Sequence, residues 1–431
     1  MTSSIVRLPS EILEEIVNFS SVSSQLSVAR VSRLFYTLSL RALYHEIFLS
    51  SPTAVVACCR TLVSNCDAAF TARSFQITYT YYPPSSNTFL SAYYSLIEKA
   101  LLSLRELHTL KLLVHDPYFI TLFTRCGFPE LRHFECFLKP SSQLIQFLNG
   151  HPKVNYLQLS PHEDTRQPLF VQDEEGNRVD GLPFLELPGL QYYVGNVQGI
   201  PYLGPSSRLR AAIINWNAVD TDPDLTFQTL QRSSRQSLTL LSCVRRGWNL
   251  DIIQAVSVWL PDVLSLHVSN IMLVDAFPTE EYLQKVQGYL SRFTRLERLH
   301  IKCIDYWEMG NLTSSIDKDF ATVATWGSVC SSLTEISLPH SNGLSWFRIS
   351  DTVWIPDPSH AIGKKWLQDT VASKRLHGWE KTEGSTAETL PDHTAFVNAI
   401  TIARRRFSGL LHEMENENAG STISTSAASD I

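Results

Sequence analysis

Thirteen histidines and eight cysteines give this 431-residue chain enough side chains for nucleophilic, acid–base or metal chemistry, but their spacing assembles none of it. No G-x-S-x-G elbow, G-x-x-x-x-G-K-[ST] loop, H-E-x-x-H or G-x-G-x-x-G occurs. Gly363-Lys364-Lys365 lacks the preceding glycine-rich loop and the hydroxyl residue after its first lysine. Cys58, Cys59, Cys66, Cys126, Cys136, Cys243, Cys303 and Cys330 form neither a C-x-x-C pair nor a compact framework, so reduced, mostly buried thiols are expected. His267 and His300 recur at one point of a spaced apolar pattern, which would set two imidazoles on neighbouring strands. Two ligands without a third are not a zinc site, so solvated or hydrogen-bonded rings are expected. No catalytic group, metal or cofactor is assigned.

The elements that position these residues follow an apolar-x-x-apolar-x-apolar spacing. It recurs at Leu107/Leu110/Leu112, Leu131/Phe134/Cys136, Val154/Leu157/Leu159, Leu190/Tyr193, Leu209/Ala212/Ile214, Leu238/Leu241/Cys243, Val263/Leu266/Val268, Leu296/Leu299/Ile301 and Leu333/Ile336/Leu338. Helical stretches lie between them, at Ala92–Leu102, Gln143–Leu148, Phe227–Arg232, Leu250–Trp259, Glu281–Leu290 and Phe320–Cys330. The pattern resembles the strand of a leucine-rich repeat. The average interval of about 28 residues falls within that class, and the asparagine such repeats carry after the strand appears once, at Asn217. The resemblance implies an α/β fold, an irregular solenoid with a curved parallel sheet. An ordinary α/β domain with parallel strands stays open as the alternative.

Alternation along such strands places every second residue on the face away from the core. Lys111, Glu135, Gln158, Ile213, Ser242, His267, His300 and Ser337 then form one row, with Arg298 and Glu335 one step earlier. Candidate target-binding residues on this face are Lys111, Glu135, Gln158, His267, Arg298 and His300. Trp307, Trp326, Trp346, Trp354, Trp366 and Trp379 all follow residue 300 and either plug the end of the core or anchor a partner.

Residues 8–49 read differently. Pro9 suits the first turn of a helix, and Glu11, Glu14 and Glu15 suit its N-terminal dipole. Ile12, Leu13, Ile16 and Val17 fall on a helical stripe that the polar run Ser20–Ser24 ends. A second stripe holds Leu26, Ala29 and Val31, and a third Leu34, Phe35, Leu38, Leu43 and Ile47. Three short helices in about forty residues make too small a core to stand alone, so surplus apolar surface should seek a partner. Leu8-Pro9, the Ile12-Leu13 and Ile16-Val17 pairs, Val31-Ser32-Arg33 with Phe35, and Ala42-Leu43-Tyr44 resemble an F-box. The chain as a whole is similar to the divergent F-box proteins with irregular repeats found in fungi. The resemblance implies docking on a Skp-type adaptor of a cullin-RING ubiquitin ligase through Leu8, Pro9, Ile12, Leu13, Ile16, Val17, Val31 and Phe35.

The expected organisation is an F-box at 1–50, a helical linker or cap at 51–103, and a repeat-like target-binding region at 104–345. A proline-rich acidic loop at 161–188 interrupts it, a C-terminal cap covers 346–412 with a helix at 396–411, and a disordered tail closes the chain at 413–431. Composition is ordinary for a globular protein, with 44% hydrophobic and 18% charged residues. A net charge of −6 argues against nucleic-acid binding, and no apolar run approaches the length of a membrane span. With no secretory signal at the start, an intracellular location, cytoplasmic or nuclear, is expected. The expected function is non-catalytic: target recognition for a ubiquitin ligase, ubiquitin transfer falling to partners. A repeat scaffold without ligase ties and an α/β enzyme are the alternatives.

Overall fold

The computed structural model describes residues 8–79, 89–160, 183–205, 207–217, 222–234, 238–271, 279–303, 316–339, 344–350, 353–357 and 360–372. The chain divides into two compact units, residues 1–275 with 303–305, and residues 276–302 with 306–431. The expected helix at 396–411, the tail and most of the acidic loop lie outside the described residues.

The first unit begins with helices α1 (Ser10–Asn18), α2 (Val22–Val28) and α3 (Arg33–Tyr44). Strand β1 (Glu46–Leu49), helices α4 (Pro52–Ser64) and α5 (Cys66–Thr71), strand β2 (Ser74–Thr78) and helix α6 (Ser91–Ser103) follow. Then come β3 (Thr109–Leu113), β4 (His133–Cys136), α7 (Ser142–Asn149), β5 (Tyr156–Leu159), β6 (Tyr192–Asn196), β7 (Ala211–Asn215), α8 (Pro223–Ser233), β8 (Leu240–Arg245), α9 (Leu250–Trp259) and β9 (Ser265–Asn270). Two 3-10 segments, Pro117–Thr124 and Val197–Tyr202, take the place of a helix between β3 and β4 and between β6 and β7.

Strands β1 to β9 pair in chain order, every pair parallel. The register aligns the sequence pattern. Leu110, Phe134, Leu157, Tyr193, Ala212, Leu241 and Leu266 stand side by side, and all are buried. The next inward row contains Gly195, where a Cβ would overlap the Leu159 carbonyl oxygen. That close approach explains why the spacing at β6 shows two apolar positions instead of three. Local caps set the helix starts: Ser51, Asn65, Ser141 and Asp222 each accept a first-turn backbone N–H.

Two expectations need correction. Ile47, read as the end of a third helix, lies in β1, because Glu46–Leu49 alternates exposed and buried residues with period two. The ladder therefore starts at residue 46, not 104, and segment 51–103 contributes β2, whose Phe75 and Ile77 enter the core.

The second unit holds α10 (Glu280–Leu290), β10 (Arg298–Cys303), α11 (Ile316–Val329), β11 (Glu335–Ser337), β12 (Ser345–Ser350), β13 (Val353–Pro356) and α12 (Ala361–Ala372). Strands β10 and β11 are parallel, while β12 and β13 continue antiparallel. The strand carrying Leu110 has β2 and β4 as neighbours and that carrying Ile336 has β10 and β12, so the strands do not close into a barrel. Trp326, Trp346 and Trp354 are fully buried. Trp366 packs edge-on to Trp346 at 5.3 Å and donates from Nε1 to Asp317 at 2.9 Å. Gly327 is required by contact, since a Cβ there would meet the Trp354 indole. These rings fill the interior of the unit; Trp307 and Trp379 lie outside the described residues.

Candidate interaction surfaces

Helix α1 carries two apolar stripes. Leu13 and Val17, four residues apart, are each 2% exposed and join Leu38 in a small core against which Val28, Phe35 and Ala42 pack. Leu8, Ile12, Ile16 and Phe19 form the second stripe and all face solvent, Phe19 at 90% exposure. Val22 and Leu26 on α2, Val31 in the following turn, and Leu34 and Tyr36 on α3 are exposed as well. The four sequence positions 12, 13, 16 and 17 thus divide: two build the support and two remain open. Pro9 sits at the helix cap.

Polar contacts hold this open face in place. The buried Gln25 donates from Nε2 to the Val17 carbonyl at 2.9 Å and to the Ser20 carbonyl at 3.1 Å, satisfying acceptors at the end of α1. Ser21 caps α2 and Ser32 caps α3, accepting from Ser24 N–H and Phe35 N–H, both at 3.3 Å. The Glu14–Arg41 pair, 3.7 Å apart and exposed, adds little. Gln25 is the residue that sequence reasoning missed. A glutamine following a serine run carries no signal until the chain reversal brings it under α1. At its other end α3 passes through His45 directly into β1. The His45 carbonyl accepts from Arg73 N–H at 2.9 Å and Ser74 N–H at 3.0 Å, and Asn65 donates to the Tyr36 hydroxyl at 3.2 Å.

The second candidate surface is the sheet face away from the core. Lys111, Glu135 and Gln158 are adjacent across β3, β4 and β5. Lys111 and Glu135 are only 5% and 4% exposed, so they lie beneath the surface instead of lining it. Lys111 Nζ is 2.9 Å from Glu135 Oε1, and His133 Nε2 is 2.5 Å from the same oxygen. Burial pushes the Glu135 carboxyl up, but the His133 hydrogen bond and the charges of His133 and Lys111 outweigh it and leave it below the usual carboxylate value. His133 stacks on Tyr156 at 4.0 Å, and Tyr156 donates to Gln158 Oε1 at 3.1 Å. The row also changes character: Val194 stands between Gln158 and Ile213, so its centre is apolar.

His267 and His300 fall in different units. His267 Nε2 is 3.1 Å from Ser265 Oγ. His300 Nδ1 is 3.2 Å from Ser337 Oγ, and its Nε2 is 3.4 Å from Glu335 Oε1. Among the described residues no three His, Cys, Asp or Glu side chains converge as metal ligands. No two of the cysteines are joined in a disulfide, and burial pushes Cys59, Cys126, Cys136 and Cys243 up to about 12, which keeps these thiols protonated and weakly nucleophilic. No helix among the described residues is long and apolar enough to cross a membrane.

Residues 5–50 match the family model described as F-box-like. The match covers the three helices and all of β1, ending one residue past that strand. No curated protein matches the chain.

Proposed function

We propose that this chain is the substrate-recognition subunit of a Skp-cullin-F-box type ubiquitin ligase, acting inside the cell, in the cytoplasm, the nucleus or both. F-box segments bind Skp-type adaptors, and proteins that carry them are in general adaptors, with ubiquitin transfer performed by the rest of the ligase. One observation carries the reading: within the matched residues 5–50, Leu8, Ile12, Ile16 and Phe19 form a solvent-facing apolar stripe along a helix whose neighbouring stripe is already buried. Such a surface is costly to leave in water and marks a protein contact. The adaptor lies across this stripe and Val31, while Leu13, Val17 and Phe35 hold the face from behind. The leucine-rich-repeat-like strands that follow hold the target protein.

The test is capture of a Skp-type adaptor by the full chain, beside the Leu8→Asp variant. A charge placed unpaired in an apolar interface costs several kcal/mol, so the variant should recover almost no adaptor while its thermal melt stays that of the wild type. Equal recovery by both would leave a repeat scaffold without ligase ties as the better reading.

A further inference from the structure

Where the helices meet the ladder, a cleft of about 680 Å³ opens in the first unit, within the span of about 300–1,000 Å³ that ligand sites occupy. Residues of α1 and α3 line it on one side and residues of α5 with Arg73 on the other, while His45 and Glu46 at the joint complete the lining. Its two permanent cations are engaged. Arg73 Nη2 lies 3.8 Å from Glu106, which is not part of the lining, and its Nη1 donates to the Phe70 and Ala72 carbonyls at 2.7 and 3.3 Å. Arg41 lies 3.7 Å from Glu14. Two carboxylates remain: Glu46 and Asp67 have no ion pair among the described residues, and Asp67 has only the adjacent Cys66 thiol beside it, 4.0 Å away. Three carboxylates against two guanidinium groups make the lining negative, and Glu106 adds a further charge, so a protonated His45 would not reverse the sign. Phe70, on the same side as Asp67, is 59% exposed and already has the Arg73 guanidinium 6.0 Å from its ring centroid.

We infer that this cleft takes an arginine-bearing segment of a partner protein, its guanidinium groups held by Glu46 and Asp67 and lying against Phe70. A guanidinium is planar, presents a fork of donors that matches a carboxylate, and stacks on aromatic faces. It is also more weakly hydrated than an ammonium, so it gives up less when it enters a cleft. Lysine answers the charge of the site but not the ring. The Asn18 side chain, without a hydrogen bond among the described residues, is placed on the far side to hold the backbone of the guest. Glu14 and Asn18 follow Ile12 and Ile16 by two residues, about 200° round α1. The cleft therefore lies on the other side of that helix from the open apolar stripe, and its guest does not compete with a molecule on the stripe. The inference goes beyond the ligase assignment and stands without it.

The experiment uses the full chain and a fluorescein-labelled peptide with two adjacent arginines among glycines and serines, followed by anisotropy, with the matching lysine peptide in parallel. The wild type should prefer arginine by about threefold or more, and Phe70→Leu should erase that preference. Glu46→Gln/Asp67→Asn should weaken binding of the arginine peptide about fivefold or more, while Glu280→Gln/Glu281→Gln, which removes equal charge from α10, should stay within about twofold of the wild type. Thermal melts accompany each variant; should the first pair melt early, Asp67→Asn alone must show the same direction. No binding by the wild type, no preference for arginine, unchanged binding by the Glu46 and Asp67 variant, or an equal loss in the α10 variant overturns the inference. Adaptor capture from the same preparation separates it from the ligase assignment. Adaptor without peptide defeats this inference alone, peptide without adaptor defeats the ligase assignment alone, and loss of both in the Glu46 and Asp67 variant overturns the placing of the cleft apart from the stripe.

Discussion

The three-helix segment and the parallel ladder invert each other's burial. In the helices, apolar side chains such as Ile12, Ile16 and Phe19 face water while a glutamine, Gln25, is buried. On the ladder, the basic and acidic pair Lys111 and Glu135 is buried while Val194 and Ile213, further along the same row, are partly open. Both departures from inside-apolar, outside-polar are resolved by partners. Gln25 and Lys111 have theirs within the chain, whereas the Ile12 stripe has none among the described residues of its own fold. An uncompensated departure points outward, to another molecule; a compensated one points inward, to stability.

The largest effect should come from breaking the compensated case. Glu135→Ala leaves Lys111 and His133 buried without their shared oxygen and should destabilise the protein by about 3–5 kcal/mol, read from denaturant midpoints. Replacing the pair together, Lys111→Met with Glu135→Leu, should recover most of that loss. A single variant that costs under about 1 kcal/mol would mean that the pair is solvated, and the contrast with the helices would fail.

Adjacent positions on α1 sharpen the comparison from the other side. Ile16→Asp should reduce adaptor affinity about a hundredfold, or about 2.8 kcal/mol, in titration calorimetry without moving the melting temperature. Val17→Asp, one residue on, should unfold the helical segment as seen in its hydrogen exchange, because its side chain sits in the core with Leu13 and Leu38. If both variants behave alike, the two stripes are not separate.

The smallest effect is a pH dependence. The Glu135 carboxyl lies below its usual value when folded, so the folded chain holds fewer protons at this site than the unfolded one. Its contribution is complete above the unfolded carboxylate value of about 4.3 and fades as pH falls through the folded value. The stability gap between wild type and Glu135→Gln should therefore narrow as pH drops from about 6 to about 3. A gap constant over that range would assign Glu135 no net pairing.

The sequence made the ladder legible where three apolar positions repeat, and each of the nine spaced runs forms a strand. The strands it hid, β1 and β2, are four and five residues long and sit where helical patterning dominates both sides. Burial of the polar row was hidden for another reason. Alternation tells which face a residue takes but not how deeply its neighbours cover it, and Lys111 lies flanked by Gln76 and Glu135. On α1 the period of 3.6 gave apolar positions at 12, 13, 16 and 17, but two stripes a hundred degrees apart look like one wide stripe until a partner helix takes one of them. Gln25 and Gly195 act through contacts distant in sequence, and no local pattern announces them.

The join at His45 has a mechanical consequence. One residue separates the last turn of α3 from β1, and its carbonyl is fastened twice to the start of β2. Such a joint has almost no torsional slack, so a load applied at α1 passes into the ladder as a rotation of the strands and not as the bending of a tether. Whatever the ladder of the first unit grips would then be held at a fixed bearing to whatever grips the helices, and its reach would be set by strand count instead of linker length.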